Sequence, residues 1–464
     1  MADVKYVKTC LSGFLLVMSA LGLAEAATYL NDYETNQVAL TAGFIPDTTR
    51  IIVGEPFFWT FVLSNRAAQP FQFQHVRTEI FHITATNAAG APARNLQYHM
   101  MDGNGFSSSV NVLPGKTHSQ RIFNDWCAFD QPGDYTVTCR CQFWHFTNRA
   151  YALDQPIVTR FNLTVLPSES NRLAEVIAAW GSSMETNGSR EESVQALAAI
   201  PDPRTIPYLA AAVAKSPDYI AVHALARFTN EAAADALTVA LQTGEDYVAQ
   251  NAGNALCRMG QSDRAARRLL PDLTNADAAV RRQTARALSW TGSELAFAPL
   301  CARLESDTNF VRYAAAEAVG QLGDPRSFAV LTNCLSDSDF ALRLAAVKGL
   351  RALGKPMRAA WLTPIILAGG ENIRTFYDAI DLLRIFGGDQ AAPGLASCLH
   401  FDDPSVRHGY NMRLVLALEF SPDGPKYYYK WHHDPNRDGT SQELADNRQI
   451  LLELKAWHEQ HRPD

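Results

Sequence analysis

The chain has 464 residues, is 47% hydrophobic and 19% charged, and carries a formal net charge of −7. That length exceeds a single ordinary core, and the composition excludes extensive disorder. A nucleic-acid binder carries a basic footprint, and this chain has none, so no nucleic acid is expected as a partner.

Residues 1–26 read as a signal peptide. Lys5 and Lys8 give a positive start, Leu11–Leu23 is an apolar run, and Ala24-Glu25-Ala26 places small residues where a signal peptidase reads. At about 1.5 Å per residue that run is too short for a hydrocarbon layer of about 30 Å. Export to the periplasm or extracellular space is therefore expected, with no transmembrane segment after signal cleavage.

Residues 27–166 read as a β-sandwich. Short β-branched and aromatic runs, such as Phe57–Ser64, Val76–Thr86, Asp134–Trp144 and Ile157–Leu166, alternate with turn residues. Gly54-Glu55-Pro56-Phe57 through Asn65, and Pro132-Gly133-Asp134-Tyr135-Thr136-Val137, resemble strands of bacterial Ig-like accessory domains. The resemblance implies an Ig-like sandwich and no particular ligand. Cys127 with Cys139 is the candidate disulfide in an exported domain. Cys141 lies two residues on and faces the same side, so it is the alternative partner. Cys257, Cys301, Cys334 and Cys398 are expected as small core residues.

Residues 167–172 form a polar linker. From there to residue 420 the apolar period changes from 2 to 3.6, which marks helices. Val280-Arg281, Val311-Arg312, Leu342-Arg343, Ile373-Arg374 and Val406-Arg407 recur with arginines 31, 31, 31 and 33 residues apart. An acidic residue precedes each: Asp277, Asp307, Asp339, Glu371 and Asp403. A fixed period of this size means stacked copies of one supersecondary unit. Asp324–Gly354 shows the plan. Phe328, Leu331 and Leu335 form one stripe, Leu342, Ala345, Ala346 and Leu350 a second, and Gly354 closes the helix. Gly260, Gly292, Gly323 and Gly387 are the corresponding closing glycines. The pattern Asp324-Pro325-Arg326, Leu335, Asp339, Leu342-Arg343, Ala345-Ala346, Leu350, Gly354 resembles the short bacterial HEAT repeat of the phycobilisome-lyase type. It implies an α-solenoid of HEAT-like helical hairpins over 173–420. The name of that lyase implies nothing about activity here.

Two readings fit the arginine ladder. It is a stripe for an acidic partner, or each arginine pairs with a turn acid and stitches units together. The matched acids favour the second. Val222 and Ala249 stand where arginine is missing, so the ladder belongs to the later units.

Residues 421–464 break the pattern and read as a C-terminal extension ending in a capping helix. Asp434, Asn436 and Asp438 match the front of a calcium loop, but its twelfth position is Ala445 rather than a bidentate carboxylate. A turn without metal is the favoured reading there, and no cofactor is expected.

Phe310, Tyr313, Phe376, Tyr377 and Tyr410 gather on the later second helices. On a concave face they would suit a partner's surface. No motif for a hydrolase nucleophile, zinc protease or phosphate loop occurs, so no catalytic residue is assigned. The expected function is an exported, non-enzymatic scaffold that binds a protein partner through the solenoid. The alternative is an accessory subunit of a polysaccharide-processing system, with Trp126 and Trp144 exposed on the sandwich for carbohydrate contact. An enzyme with its site at the domain junction is a third reading.

Overall fold

A computed structural model describes residues 26–34, 38–75, 81–95, 108–124, 126–142, 156–184, 190–368, 373–400, 408–421, 423–426 and 441–461. The chain divides into two compact units, residues 1–212 with 223–228, and residues 213–222 with 229–464.

The first unit is strand-rich. Its strands are β1 (Leu30–Glu34), β2 (Ala39–Pro46), β3 (Arg50–Ile52), β4 (Phe58–Asn65), β5 (Phe71–His75), β6 (Phe81–Asn87), β7 (Arg94–Asn95), β8 (Ser108–Val112), β9 (Thr117–Phe123), β10 (Cys127–Ala128), β11 (Gly133–Cys141) and β12 (Ile157–Leu166). Two four-stranded sheets, ordered β1-β2-β4-β9 and β3-β12-β11-β6, pack over one core. Two-stranded ribbons β5-β8 and β10-β7 complete the strands described. All pairings are antiparallel except β12 with β3, where Thr164 faces Arg50. Alternation dictates the packing. Along β12 Ile157, Phe161, Leu163 and Val165 point inward, and they meet Phe44, Trp59 and Phe61 from the facing sheet.

Strand β4 is buried along its whole length. Its outward side chains therefore need a second cover. Phe58 receives it from Trp180 of the helix α1 (Ser170–Ser183), with ring centroids 5.4 Å apart. Arg121 of β9 lies over Phe58 and pairs with Asp47 and with Glu192 of α2 (Arg190–Ala199). The sheets and the opening helices thus share one compact unit.

Cys127, Cys139 and Cys141 are separate buried thiols, in place of the expected Cys127–Cys139 bond. The Cys127 Sγ instead donates to the Ile83 carbonyl at 3.7 Å. Burial pushes the Cys127 thiol up to about 11 and the Cys139 thiol well above its ordinary value. Trp126 packs against the core beside Trp59, 6.0 Å between centroids, rather than presenting a flat exposed face.

The following helices are α3 (Ile206–Lys215), α4 (Tyr219–Leu225), α5 (Glu231–Thr243), α6 (Asp246–Arg258), α7 (Ser262–Leu269), α8 (Ala278–Ser289), α9 (Phe297–Ser306), α10 (Asn309–Gln321), α11 (Ser327–Cys334) and α12 (Phe340–Ala352). Then come α13 (Ala359–Ala368), α14 (Ile373–Phe386), α15 (Ala391–Ala396), α16 (His408–Glu419) and α17 (Ser441–Gln460). In the second unit odd-numbered helices precede even-numbered ones in antiparallel pairs, and α8, α10 and α12 pack side by side. Small residues permit this: Ala315, Ala316, Ala345 and Ala346 are fully or almost fully buried.

The ends of the helices obey local chemistry. Asp277 caps α8 by accepting from the Ala279 N–H at 2.8 Å, and Asp339 caps α12 from the Ala341 N–H at 2.9 Å. Gly260, Gly292, Gly323 and Gly354 follow α6, α8, α10 and α12 with φ between 64° and 74°. After α14 the left-handed residue is Gly388, not the expected Gly387, whose φ is −75°. Phe328 is also shifted from expectation. It is 40% exposed, beneath the Lys355 ammonium, and Leu331 carries the inward stripe alone at that end. Cys257 is exposed rather than part of a core.

Ile450, Leu451 and Leu454 of α17 enter the same core as Leu395 of α15 and Leu414 of α16. The last helix therefore covers apolar surface that the final hairpin leaves, as a terminal cap must. Residues 1–25 of the expected signal segment, Trp144, Glu371, Asp403, Arg407 and the 434–438 loop lie outside the described residues. Among the described residues, no helix is long and apolar enough to cross a membrane.

Candidate interaction groove

The second helices of successive hairpins run side by side, so residues at equivalent positions share a face. On α10 these are Phe310, Tyr313, Ala314, Glu317, Ala318 and Gln321, spaced three or four apart and opposite the apolar stripe Val311, Ala315 and Val319. They line a groove of about 780 Å³ that continues onto α6 through Asp246, onto α8 through Arg282 and Arg286 and onto Trp290 just after it, onto α12 through Lys348, and onto α14 through Arg374 and Asp378. The second unit therefore carries one continuous polar and aromatic surface across five helices.

Most charges on this surface already hold one another. Arg286 meets Asp246 at 3.0 Å, and Lys348 meets Asp378 at 2.9 Å and Glu317 at 3.8 Å. Burial pushes the Glu317 carboxyl above its ordinary value, against the pull of Lys348. The Tyr313 hydroxyl donates to Asp339, the cap of α12, and burial with that carboxylate pushes it up to about 12. Phe310 is 70% exposed and meets Tyr313 edge to face, 6.1 Å between centroids.

Of the five aromatics expected on a binding face, Phe310 and Tyr313 line this groove. Phe376 does not. It is 3% exposed and packs in the core of the later hairpins. Phe376→Ala should accordingly lower the unfolding free energy by about 3–5 kcal/mol in urea titration. A change under about 1 kcal/mol would mean that the side chain is not core. Tyr377 lies under the Arg413 guanidinium, 4.5 Å from its centroid, beside a smaller hollow of about 230 Å³ lined by Asp381, Arg384 and Phe420. Tyr410 belongs to the backbone of α16.

The ladder arginines divide. Arg281 donates to both carboxylate oxygens of Asp307 in the next hairpin, at 2.6 and 2.9 Å, and to the Asn275 and Ala276 carbonyls. Arg312 reaches Asp337 at 2.7 Å, not Asp339, and the Leu304 carbonyl at 2.9 Å. Arg343 turns to the Asp337 carbonyl and lies over the Phe340 ring. Arg374 is exposed and lines the groove. So two rungs join consecutive hairpins, one braces its own turn, and one stands on the candidate surface.

Sequence reasoning did not single out Arg282, Arg286, Trp290, Glu317 or Lys348. Their signal is positional. Each sits on a second helix, or at its C-terminal cap in the case of Trp290, and only the side-by-side packing of α8, α10 and α12 makes them neighbours.

HEAT-repeat models match residues 234–318 and 310–375, and the PBS lyase HEAT-like repeat model matches residues 189–215. The helical region is built of HEAT-like repeats. Among solved structures, the chain is similar to the complex of CpcE and CpcF of phycocyanin lyase from Nostoc sp. PCC7120, with 19% identity, a TM-score of 0.27, and 55% of this chain and 94% of that chain covered. Salmonella alpha-2-macroglobulin reacted with methylamine shows 11% identity and a TM-score of 0.19, covering 89% of this chain and 27% of that one. Native Escherichia coli alpha-2-macroglobulin shows 11% identity and a TM-score of 0.17, covering 89% of this chain and 26% of that chain. No curated protein sequence matches the chain.

Proposed function

We propose that this protein is an exported, non-enzymatic scaffold that binds a protein partner through the groove on α6, α8, α10, α12 and α14. The observation that carries the reading is Phe310. A large aromatic side chain 70% exposed, in the middle of a groove of ionic pairs, has little to contribute to packing. Aromatic anchors within a rim of polar contacts are what concentrates affinity at protein interfaces. HEAT-like repeats support the reading by supplying a long surface rather than an enclosed cavity.

Cross-linking in the native cell envelope, followed by recovery of the protein, tests it. Phe310→Ala should reduce the main cross-linked partner at least tenfold while thermal unfolding stays within a degree or two of wild type. Equal recovery from both forms would sink the groove reading. Export rests on the apolar run Leu11–Leu23 followed by Ala24-Glu25-Ala26. N-terminal sequencing of the cell-derived protein should show cleavage near Ala26, and an intact Met1 start would count against export.

Trp126 packs against the sheet core and Trp144 lies outside the described residues, so no observation favours carbohydrate contact through the sandwich.

A further inference from the structure

The last two second helices, α14 and α16, flank the hollow of about 230 Å³, which the groove does not include. Ile380 and Ala417, core residues each 4% exposed, give it a fixed apolar base. Leu416 and Phe420 extend that apolar surface outward, and Phe420 is 61% exposed. The polar part of the lining, among the described residues, is Tyr377, Asp381, Arg384 and Arg413.

Two of these groups answer each other. The Arg384 guanidinium donates to Asp381 Oδ1 at 3.1 and 3.3 Å, so the carboxylate that would oppose an incoming anion is already neutralised. Arg413 is different. It lies over the Tyr377 ring, 4.5 Å from its centroid, and makes no hydrogen bond or ion pair among the described residues. The ring takes only the flat face of the guanidinium, and the N–H groups at its edge keep their donor capacity. The same contact holds the guanidinium in one place. Arg413 is thus a positioned cation, without a carboxylate, at the edge of an apolar recess.

Sites for whole small molecules hold about 300–1,000 Å³, so this recess fits one side chain with the rest of its ligand outside. Arg413 precedes Leu416 and Ala417 by three and four residues on α16, so the stem of the guanidinium and the apolar patch are neighbours about 5–6 Å apart. The last residue of a chain matches that spacing, because its carboxylate and its side chain leave the same Cα. An internal Asp or Glu matches it poorly, since successive side chains of an extended chain point to opposite sides. We infer that the hollow takes the C-terminal residue of a partner protein, its apolar side chain in the recess and its free carboxylate on Arg413 through paired hydrogen bonds. None of the residues lining the hollow lines the groove, so this site stands or falls apart from the groove reading.

Random hexapeptides displayed with free carboxyl ends and selected against the full chain should converge on an apolar final residue. A synthetic peptide with such an end should bind at least tenfold more tightly than the same peptide carrying a C-terminal amide. Arg413→Gln and Phe420→Ala should each weaken it at least tenfold, and Phe310→Ala should leave it unchanged. Arg413→Lys keeps the charge and loses the fork, and should bind between wild type and Arg413→Gln. Phe420 is exposed, so thermal unfolding of its variant should match wild type and exclude misfolding. Equal binding of the acid and amide forms, or no convergence in the selection, would overturn the C-terminal site. N-acetyl-leucine or octanoate displacing the peptide at equal concentration would overturn the peptide assignment in favour of a free carboxylic acid. A peptide weakened by Phe310→Ala and not by Arg413→Gln would occupy the groove, leaving that reading intact and this one refuted.

Discussion

Asp307→Ala should lower the unfolding free energy of the helical unit by about 3 kcal/mol, the largest loss expected from any single charged residue here. The Asp307 side chain is 2% exposed. It accepts two hydrogen bonds from Arg281, one from the Thr308 N–H at 2.7 Å, and faces Arg303 at 3.5 Å. Alanine would leave the Arg281 guanidinium, 14% exposed, without its carboxylate at the joint between α8 and α10. The two carbonyls that Arg281 also reaches offset part of that loss, which is why the lower end of the range for a broken buried pair applies. Asp277→Ala is the comparison, since Asp277 caps α8 and its loss should cost about 1 kcal/mol. Urea titration of both variants decides the matter. If Asp307→Ala costs no more than the cap variant, the rung does not hold the hairpins together.

The same carboxylate predicts an acid limb. Hydrogen bonding from Arg281, more than burial opposes it, lowers the Asp307 carboxyl from 3.8 to about 2. The unfolded chain therefore binds a proton more readily than the folded one in this window, and stability rises with pH there. The contribution is fully present above about pH 4 and disappears as pH falls through about 2, an amount on the order of 2 kcal/mol. Wild type should lose this increment between pH 4 and 2, and Asp307→Ala should not.

What was legible in the sequence follows from where physics is local. Hairpin period, capping acids and closing glycines depend on neighbours along the chain, so Asp277, Asp339, Gly260 and Gly354 fall where the pattern places them. Partner choice across hairpins is not local. Arg312 takes Asp337 rather than Asp339 because Asp339 is already engaged by the α12 N-terminus and the Tyr313 hydroxyl. Phe310 and Phe376 look alike as helix aromatics, yet one is exposed and one is core, since helical phase relative to the neighbouring hairpin decides it. The groove itself is made of residues from five separate helices, and no single stretch of sequence contains it.

Gly320→Ala should destabilise the protein by about 2 kcal/mol or more, against the ordinary trend for glycine in a helix. Replacing a mid-helix glycine by alanine usually stabilises by about 0.5–1 kcal/mol. Here a Cβ on Gly320 would stand 2.2 Å from the Gly349 carbonyl oxygen and 2.3 Å from its Cα. Those atoms are backbone, so no rotamer change relieves the clash, and α10 must move away from α12. Overpacking of this kind costs about 1–3 kcal/mol for side chains that can adjust, and this contact cannot. Gly349 is bound to the same contact from the other side, with its own Cβ position 2.7 Å from the Ala316 carbonyl oxygen. Gly320→Ala and Gly349→Ala should therefore be non-additive, the double variant losing less than the two single losses together, because the first separation already makes room for the second methyl. The groove should register the same movement. Glu317 and Gln321 ride on α10 and Lys348 on α12, so parting the helices lengthens the 3.8 Å Glu317–Lys348 approach and weakens partner binding along with stability. A neutral or stabilising Gly320→Ala in urea titration would show that the backbone contact between these hairpins is not tight, and would remove the basis for treating the five helices as one rigid surface.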